Sequence, residues 1–359
     1  LSRSQSRDTK LAVVFVDLDH FKEVNDTLGH EAGDLLLVEA AQRIQKSLGG
    51  SDTVARMGGD EFTLVINHVT DTAALDIQLQ GVLDKMAKAF PIRTEQVFVS
   101  ASLGVALYPD DATTVEDLFK HADQALYVAK GAGRNRYAFF TPELEEAAQN
   151  RLRLAADLRG ALAGNEFEVV YQPIIHLASG QVTKAEALLR WHHPQRGLVS
   201  PAQFISIAES TGMIIDIDEW VFQQAAAQVA QWQKRYDSHF QISVNKSPVQ
   251  FHYRGGQASW AEQLHAIGLD GASIAVEITE GVLLESGAAV AQQLAALRAG
   301  GCAISLDDFG TGYSSLTYLQ RFAIDVIKID QSFVRNLATR STDLALCRAI
   351  IVMAHELGL

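Results

Sequence analysis

Arg56-Met57-Gly58-Gly59-Asp60-Glu61-Phe62 lies between two short β-prone runs, Thr53-Val54-Ala55 and Phe62-Thr63-Leu64-Val65-Ile66. Two such runs joined through paired glycines predict a β-hairpin. Glycine reaches φ > 0 without a Cβ penalty and lets another molecule approach the main chain. Asp60 and Glu61 follow at the turn. Bare backbone beside adjacent carboxylates suits a phosphate held through a divalent cation. A lone Gly-Gly-Asp is more often an ordinary solvated turn, so the flanking chain decides.

Working outward, residues 11–17 read as a strand whose continuous apolar run, residues 12–16, suits one covered on both faces, ending at Asp17-Leu18-Asp19. Residues 31–48 repeat apolar positions with helical period. Residues 71–90 read as a second helix with Asp71 as N-cap. A strand over 97–107, a helix over 114–130 and a strand over 135–140 follow. This order predicts an α+β domain over residues 1–141, with helices over a largely antiparallel sheet. Pro142 suits the first turn of a charged linker helix through residue 163.

The 359 residues suffice for two domains. The net charge of −13 is spread evenly: 14 basic and 20 acidic residues lie in 1–141, and 16 and 23 in the rest. No basic face for a long nucleic acid is expected, and a small phosphorylated ligand would need metal ions to offset repulsion. Cys302 and Cys347 lie in apolar segments and read as buried free thiols. No apolar run reaches membrane-span length, and no signal peptide opens the chain. The chain is expected in the cytoplasm, with tethering of a longer parent through an N-terminal region left open.

From residue 164 the rhythm becomes strand–helix alternation. Strands are predicted at 167–172, 183–190, 241–245, 274–278, 303–307 and 326–329, with helices at 201–210, 215–236, 259–267, 286–299 and 342–357. This implies a mainly parallel sheet of (β/α) barrel type over 164–359. Its strands carry or finish in polar residues: Glu186 and Arg190, Asn245, Glu277 and Glu280, Asp307 and Asp308, Lys328 and Asp330. Carboxylates and an amide converging from several strand ends suit hard divalent cations. The loop Phe309-Gly310-Thr311-Gly312-Tyr313-Ser314-Ser315 reads either as a mobile lid or as a tight turn into a helix capped by Ser314.

These motifs resemble two families in tandem. Residues 10–140 resemble a GGDEF diguanylate cyclase domain through Val16-Asp17-Leu18-Asp19-His20-Phe21-Lys22, Asn25-Asp26, Gly29-His30, Gly33-Asp34, the hairpin, Lys130 and Gly133-Arg134-Asn135. Residues 151–359 resemble an EAL cyclic di-GMP phosphodiesterase domain through Tyr171-Gln172-Pro173, Glu186-Ala187-Leu188-Leu189-Arg190-Trp191, Val244-Asn245-Lys246-Ser247, Glu277-Ile278-Thr279-Glu280, the loop after Asp307 and Lys328-Ile329-Asp330.

The resemblance implies Mg²⁺ or Mn²⁺ in both domains. In the first, Asp17, the Leu18 carbonyl and Asp60, with Glu61, would hold the cations of GTP. Asn25 and Asp34 would read guanine, and Lys130 and Arg134 would bind phosphate. Two such domains must meet to join two GTP, which implies a homodimer. In the second, Glu186, Asn245, Glu277, Asp307 and Asp308 would be metal ligands. Lys328 would orient or activate the attacking water. Gln172, Leu188 and Arg190 would contact cyclic di-GMP, and Glu280 would brace the loop after Asp308. The product would be pGpG.

Three departures stand out. Gly49 replaces the arginine of the family's Arg-x-x-Asp product-inhibition motif, whose aspartate would be Asp52. The family's Leu-Thr-Gly-Leu-x-Asn-Arg-like segment does not precede the first strand. The chain stops at Leu357-Gly358-Leu359, where a seventh barrel strand would begin, short of the family's late glutamate ligand. A fragment truncated at both ends, with weakened hydrolysis, is expected. The leading function is bifunctional cyclic di-GMP turnover. One alternative is that either domain serves as a non-catalytic GTP or cyclic di-GMP sensor; another is a dimerisation scaffold.

Overall fold

The computed structural model describes residues 10–253, 259–284, 287–310, 319, 322, 324–335, 337–338 and 341–359. Most of the Gly-rich loop, from residue 311, lies outside them, as does the Ser314 cap. The chain divides into two compact units, Leu1–Leu152 and Arg153–Leu359.

In the first unit, β1 (Lys10–Leu18) is buried on both faces along nearly its whole length. It is the central strand of a five-stranded sheet. β3 (Glu61–Val69) and β6 (Ala101–Tyr108) flank it, both antiparallel. β2 (Thr53–Gly58) pairs with β3, and β7 (Tyr137–Phe139) runs parallel to β6. Helices α1 (Phe21–Leu28), α2 (His30–Gln45), α3 (Thr72–Met86) and α4 (Val115–Gly131) complete the unit.

Sequence period missed α1, whose eight residues follow directly on the Asp17-Leu18-Asp19 segment. The predicted helix ending at residue 90 stops at Met86. Phe90 instead opens a small hairpin of β4 (Phe90–Ile92) and β5 (Glu95–Val97). Arg43 makes that stop specific. Its guanidinium donates to the carbonyls of Lys85 (3.0 Å), Lys88 (2.7 Å) and Ala89 (2.7 Å), the exposed end of α3. It also lies 3.7 Å over the Phe90 ring. Asp71 and Thr114 cap α3 and α4, accepting from Ala74 N (2.6 Å) and Asp117 N (3.1 Å).

Gly104 sets the packing of α4 on β6. A Cβ there would meet Ala122 O and Leu126 N, each at 2.1 Å. The helix backbone therefore lies directly on the strand.

Helix α5 (Pro142–Ala161) crosses the division between the units. In the second unit β9 (Val182–His193), β11 (Gln241–Asn245), β12 (Ile274–Thr279), β13 (Ala303–Phe309) and β14 (Val326–Ile329) run parallel in that order. β8 (Phe167–Ile175) and β10 (Gly197–Val199) pair antiparallel with β9. Helices α6 (Pro201–Thr211), α7 (Ile214–Arg235), α8 (Pro248–His252), α9 (Trp260–Ala266), α10 (Glu280–Leu284), α11 (Ala288–Ala299), α12 (Gln331–Arg335) and α13 (Ser341–Glu356) accompany the sheet. One large apolar core joins the sheet to α5, α6, α7, α9 and α11, with Trp191, Phe204, Phe222 and Phe251 almost wholly enclosed. The short elements β10, α8, α10 and α12 were not foreseen, because three to five residues carry too little period to detect.

Candidate active sites

In the first unit the antiparallel register places Asp17 opposite Glu61 and Val16 opposite Phe62. The end of β1 therefore meets the Gly58–Gly59 turn. Arg56 holds that turn, its Nε and Nη2 donating to the Gly59 carbonyl at 2.9 and 2.8 Å. Gly59 has φ +52°, a conformation that glycine adopts without strain. Lys130, in the last turn of α4, reaches Asp17 Oδ2 at 2.7 Å. Burial pushes the Asp17 carboxyl above its usual range. Lys130 pulls the other way, while the Asp60 and Asp19 charges add to the rise. Asp60 thus bears on Asp17 through its charge, and like charges at one site are what a divalent cation would offset.

Gly33 lets α1 press against α2: a Cβ there would fall 2.0 Å from Asn25 Oδ1. Asn25 is thereby held one residue from the exposed Asp34. Leu18 is buried and pairs with Ala101. Arg134 is exposed in the loop after α4, with φ +59°. Asp52, expected as half of an inhibitory motif, is engaged within its own fold. Its carboxylate accepts from Gly49 N (2.8 Å), Asn67 N (2.9 Å) and Gln78 Nε2 (3.1 Å).

In the second unit Glu186 from β9, Glu277 from β12 and Asp307 from β13 bring carboxylate oxygens within 4.8 Å of one another. Asn245 stands opposite Glu277 in the β11–β12 register and donates to Glu186 Oε1 at 3.2 Å. Lys328 of β14 points its Nζ at all three acids: 2.5 Å from Glu277, 3.0 Å from Glu186 and 3.1 Å from Asp307. Burial raises the Glu277 carboxyl, partly offset by Lys328, with Glu186 and Asp307 adding to the rise. Burial works against the Lys328 ammonium, but the three carboxylates outweigh it and hold its pKa above the usual lysine value. Three hard anionic oxygens and an amide, with a positive charge already drawn among them, fit Mg²⁺ or Mn²⁺.

Asp308 stands apart from that cluster. It is exposed with φ +53°. Burial, Asp307 and a hydrogen bond to Asp330 raise its carboxyl. Glu280 Oε1 accepts from Gly310 N at 2.8 Å. Gln172 lies opposite Glu186 in the β8–β9 ladder.

Leu188 and Arg190 share a strand face with Glu186. Together with Asn245 and Glu277 they line a cavity of about 290 Å³. Sequence reading assigned no role to four other residues of that wall. Ser247 donates its Oγ to Glu209 at 2.8 Å and its N–H to Asp218 at 3.0 Å. Lys246 lies 4.2 Å over the Trp260 ring. Only the neighbourhood of Asn245 could have pointed to them.

Residues 1–136 match the family model for the diguanylate cyclase GGDEF domain, and residues 155–359 match that for the EAL domain. The chain is a tandem GGDEF–EAL protein. The bifunctional diguanylate cyclase/cyclic di-GMP phosphodiesterase MucR of Pseudomonas aeruginosa is 42% identical over 98% of this chain and 51% of its own. The cyclic di-GMP phosphodiesterase NbdA of the same organism is 39% identical over 100% of this chain and 46% of its own. The chain thus spans about half the length of the curated relatives it matches. A solved MucR phosphodiesterase in complex with cyclic di-GMP is 40% identical over 58% of this chain and 84% of its own, with a TM-score of 0.55. The GGDEF and EAL units are thus modules of cyclic di-GMP signalling. Among the described residues no helix is long and apolar enough to cross a membrane.

Proposed function

We propose that this GGDEF–EAL chain turns over cyclic di-GMP in both directions. The convergence of Glu186, Glu277 and Asp307 from three parallel strands on one point carries the hydrolytic half of that reading. In the EAL unit these acids and Asn245 would hold Mg²⁺ or Mn²⁺, with Asp308 as a further ligand. The ions would supply the positive charge that a phosphodiester anion and an attacking water require.

The chain's own residues do the rest. Leu188 and Arg190 hold the dinucleotide in the cavity beside the acids, with Gln172 opposite Glu186, and the Arg190 fork suits a phosphate. Lys328, held protonated by its carboxylates, orients the water by donating to it. Water attacks one phosphorus, the bond from phosphorus to the ribose 3′-oxygen breaks, that oxygen takes up the proton the water gives up, and linear pGpG results. Glu280, through Gly310, keeps the turn after Asp308 in place.

In the GGDEF unit Asp17, the Leu18 carbonyl and Asp60, with Glu61, would hold the cations of GTP. Asn25 and Asp34 would bind the guanine edge, and Lys130 and Arg134 the phosphates. Each 3′-hydroxyl attacks the partner nucleotide's α-phosphorus and pyrophosphate leaves. Two units must face each other, so the active form is a homodimer.

The test is turnover by the purified protein with Mg²⁺ or Mn²⁺, followed by chromatography. Cyclic di-GMP should form from GTP, and pGpG from cyclic di-GMP. Glu277→Gln should stop only the second reaction. No pGpG from the unaltered protein would overturn the hydrolase reading.

A second reading is favoured by the pairing of Lys130 with Asp17 and by NbdA, which is named for phosphodiesterase activity alone. In it the GGDEF unit binds GTP without turnover and regulates hydrolysis. GTP would then change the rate of pGpG formation with no cyclic di-GMP made from it.

A further inference from the structure

Asp19 is one of the most deeply buried acids in the GGDEF unit, 2% exposed, yet neither sequence motif nor metal chemistry gives it a task. An enclosed carboxylate survives by being hydrogen-bonded, and here the donors come from distant parts of the chain. Ser102 Oγ of β6 donates to Oδ1 at 2.8 Å. Ser100 Oγ donates to Oδ2 at 2.6 Å, and the Asn135 N–H donates to the same oxygen at 3.2 Å. The Asp19 N–H in turn donates to Ser100 O at 2.9 Å.

The third donor sits in an unusual place. Arg134 and Asn135 are consecutive residues with φ of +59° and +47°. Two successive non-glycine residues in the left-handed region are uncommon and persist where the surroundings impose them. Arg134 N bonds Ala129 O at 3.2 Å, and Arg136 Nε bonds Arg134 O at 3.0 Å. The first ties the turn back to the last turns of α4, and the second is a tie within the loop itself. The Asn135–Asp19 bond fastens it to the end of β1. Lys130 is fastened to the same strand end through Asp17. The loop carrying Arg134 is therefore moored to the segment that presents Asp17 and Leu18.

We propose that Asp19 is a positioning residue for nucleotide binding: by accepting the Asn135 N–H it fixes the left-handed Arg134–Asn135 turn, and so sets the Arg134 guanidinium against the phosphates of GTP held at Asp17. This rests on the cyclase reading given above. Asp19 acts on the binding of phosphate and not on the attack of the 3′-hydroxyl.

Asp19→Ala removes the acceptor. Asp19→Asn retains one: its carbonyl oxygen faces Ser100 and Asn135 while its amide donates to Ser102 Oγ. Deuterium exchange of residues 132–136 and GTP kinetics with Mg²⁺ are measured on the full chain, with melting temperature as a control. In Asp19→Ala the segment should exchange at least about tenfold faster and the KM for GTP should rise about tenfold or more. The kcat should stay within about threefold. Asp19→Asn should stay within about threefold of the unaltered protein on every measure. Unchanged exchange in Asp19→Ala would overturn the mooring. A fall in kcat at constant KM would overturn the assignment to binding. Should Asp19→Ala fail to fold, faster exchange and a raised KM in Ser100→Ala/Ser102→Ala, which loosens the same carboxylate, would support the proposal, and unchanged values would overturn it. Absence of GTP binding by the unaltered protein would overturn the cyclase reading and the nucleotide role together, while the exchange arm would still decide the mooring.

Discussion

The Lys328 ammonium lies 2.5 Å from Glu277 Oε2, and it also engages Glu186 and Asp307, the other oxygens grouped at the EAL site. The lysine thus supplies the positive charge that the three acids would otherwise lack. A cation and Lys328 draw on the same oxygens.

Lys328→Met is therefore expected to act twice. Hydrolysis of cyclic di-GMP should fall about a hundredfold or more, the scale of losing a group that positions the attacking water. With a chelator present the variant should lose about 3 kcal/mol, the low end for breaking a buried pair, because the Lys328 side chain keeps 26% exposure. Added Mg²⁺ should return more stability to the variant than to the unaltered protein. Thermal melts with and without chelator check this, and equal metal-induced shifts would refute the shared-oxygen account.

Asp60→Ala should reduce synthesis of cyclic di-GMP from GTP to background with the fold unchanged, since Arg56 still clamps the turn through Gly59 O. Arg56→Ala should lower synthesis only partly, by loosening the turn that presents Asp60. Circular dichroism and product chromatography on the two variants would separate these effects. Full synthesis by Asp60→Ala would remove it from the site.

Feedback by product through the Gly49–Asp52 segment should be absent. Gly49 offers no side chain, and the Asp52 carboxylate is occupied by Gly49 N, Asn67 N and Gln78. Asp52→Ala should cost about 1–2 kcal/mol in denaturant unfolding, the scale of lost hydrogen bonds to a charged acceptor. It should leave the response to added cyclic di-GMP as it was. Strong inhibition relieved by Asp52→Ala would contradict this.

Asp218 makes stability depend on pH. Burial raises its carboxyl to about 7, against the pull of the Ser247 N–H and Lys246. In the unfolded chain the carboxyl ionises near its ordinary value of 3.8, so between about pH 4 and 7 the folded state binds the extra proton. Stability from this group is present below pH 4 and is lost as pH rises to 7, at no more than about 1.4 kcal/mol per unit. Asp218→Asn should therefore gain on the unaltered protein steadily over that window. Denaturation midpoints at about pH 4.5 and 7.5, which span most of this range, test it; parallel curves would show that Asp218 stays ionised.

The hairpin at Gly58–Gly59, the strands ending in acids and the long helices were legible because each carries its own period or turn chemistry. α1 was not: its eight residues were absorbed into a motif, and Gly33, which makes room for Asn25, explains itself only once both helices are seen. The Phe90 hairpin was hidden by apolar residues that continue the period of α3, and what ends the helix is Arg43, about forty residues upstream. The grouping of Glu186, Glu277 and Asp307 could be inferred from strand ends. That Asp308 would turn toward Asp330 could not, because it depends on a single left-handed residue. Asp52 shows the limit in the other direction. Its motif partner could be checked by eye, but two of its three donors, Asn67 and Gln78, come from a strand and a helix that sequence spacing does not bring together.

Gly104 bears on how mutants of this protein would be interpreted. Because α4 lies on β6 with no side chain between them, the height of that helix above the sheet is set by a residue that touches no nucleotide. Lys130 is carried one turn beyond Leu126, at the helix's far end. A methyl group at 104 would lift the helix and swing its tip, so the lesion would surface as lost synthesis although every acid and lysine of the site is intact. A genetic screen for cyclase-dead alleles should recover this glycine beside Asp17 and Asp60, and would misread a spacer as a participant.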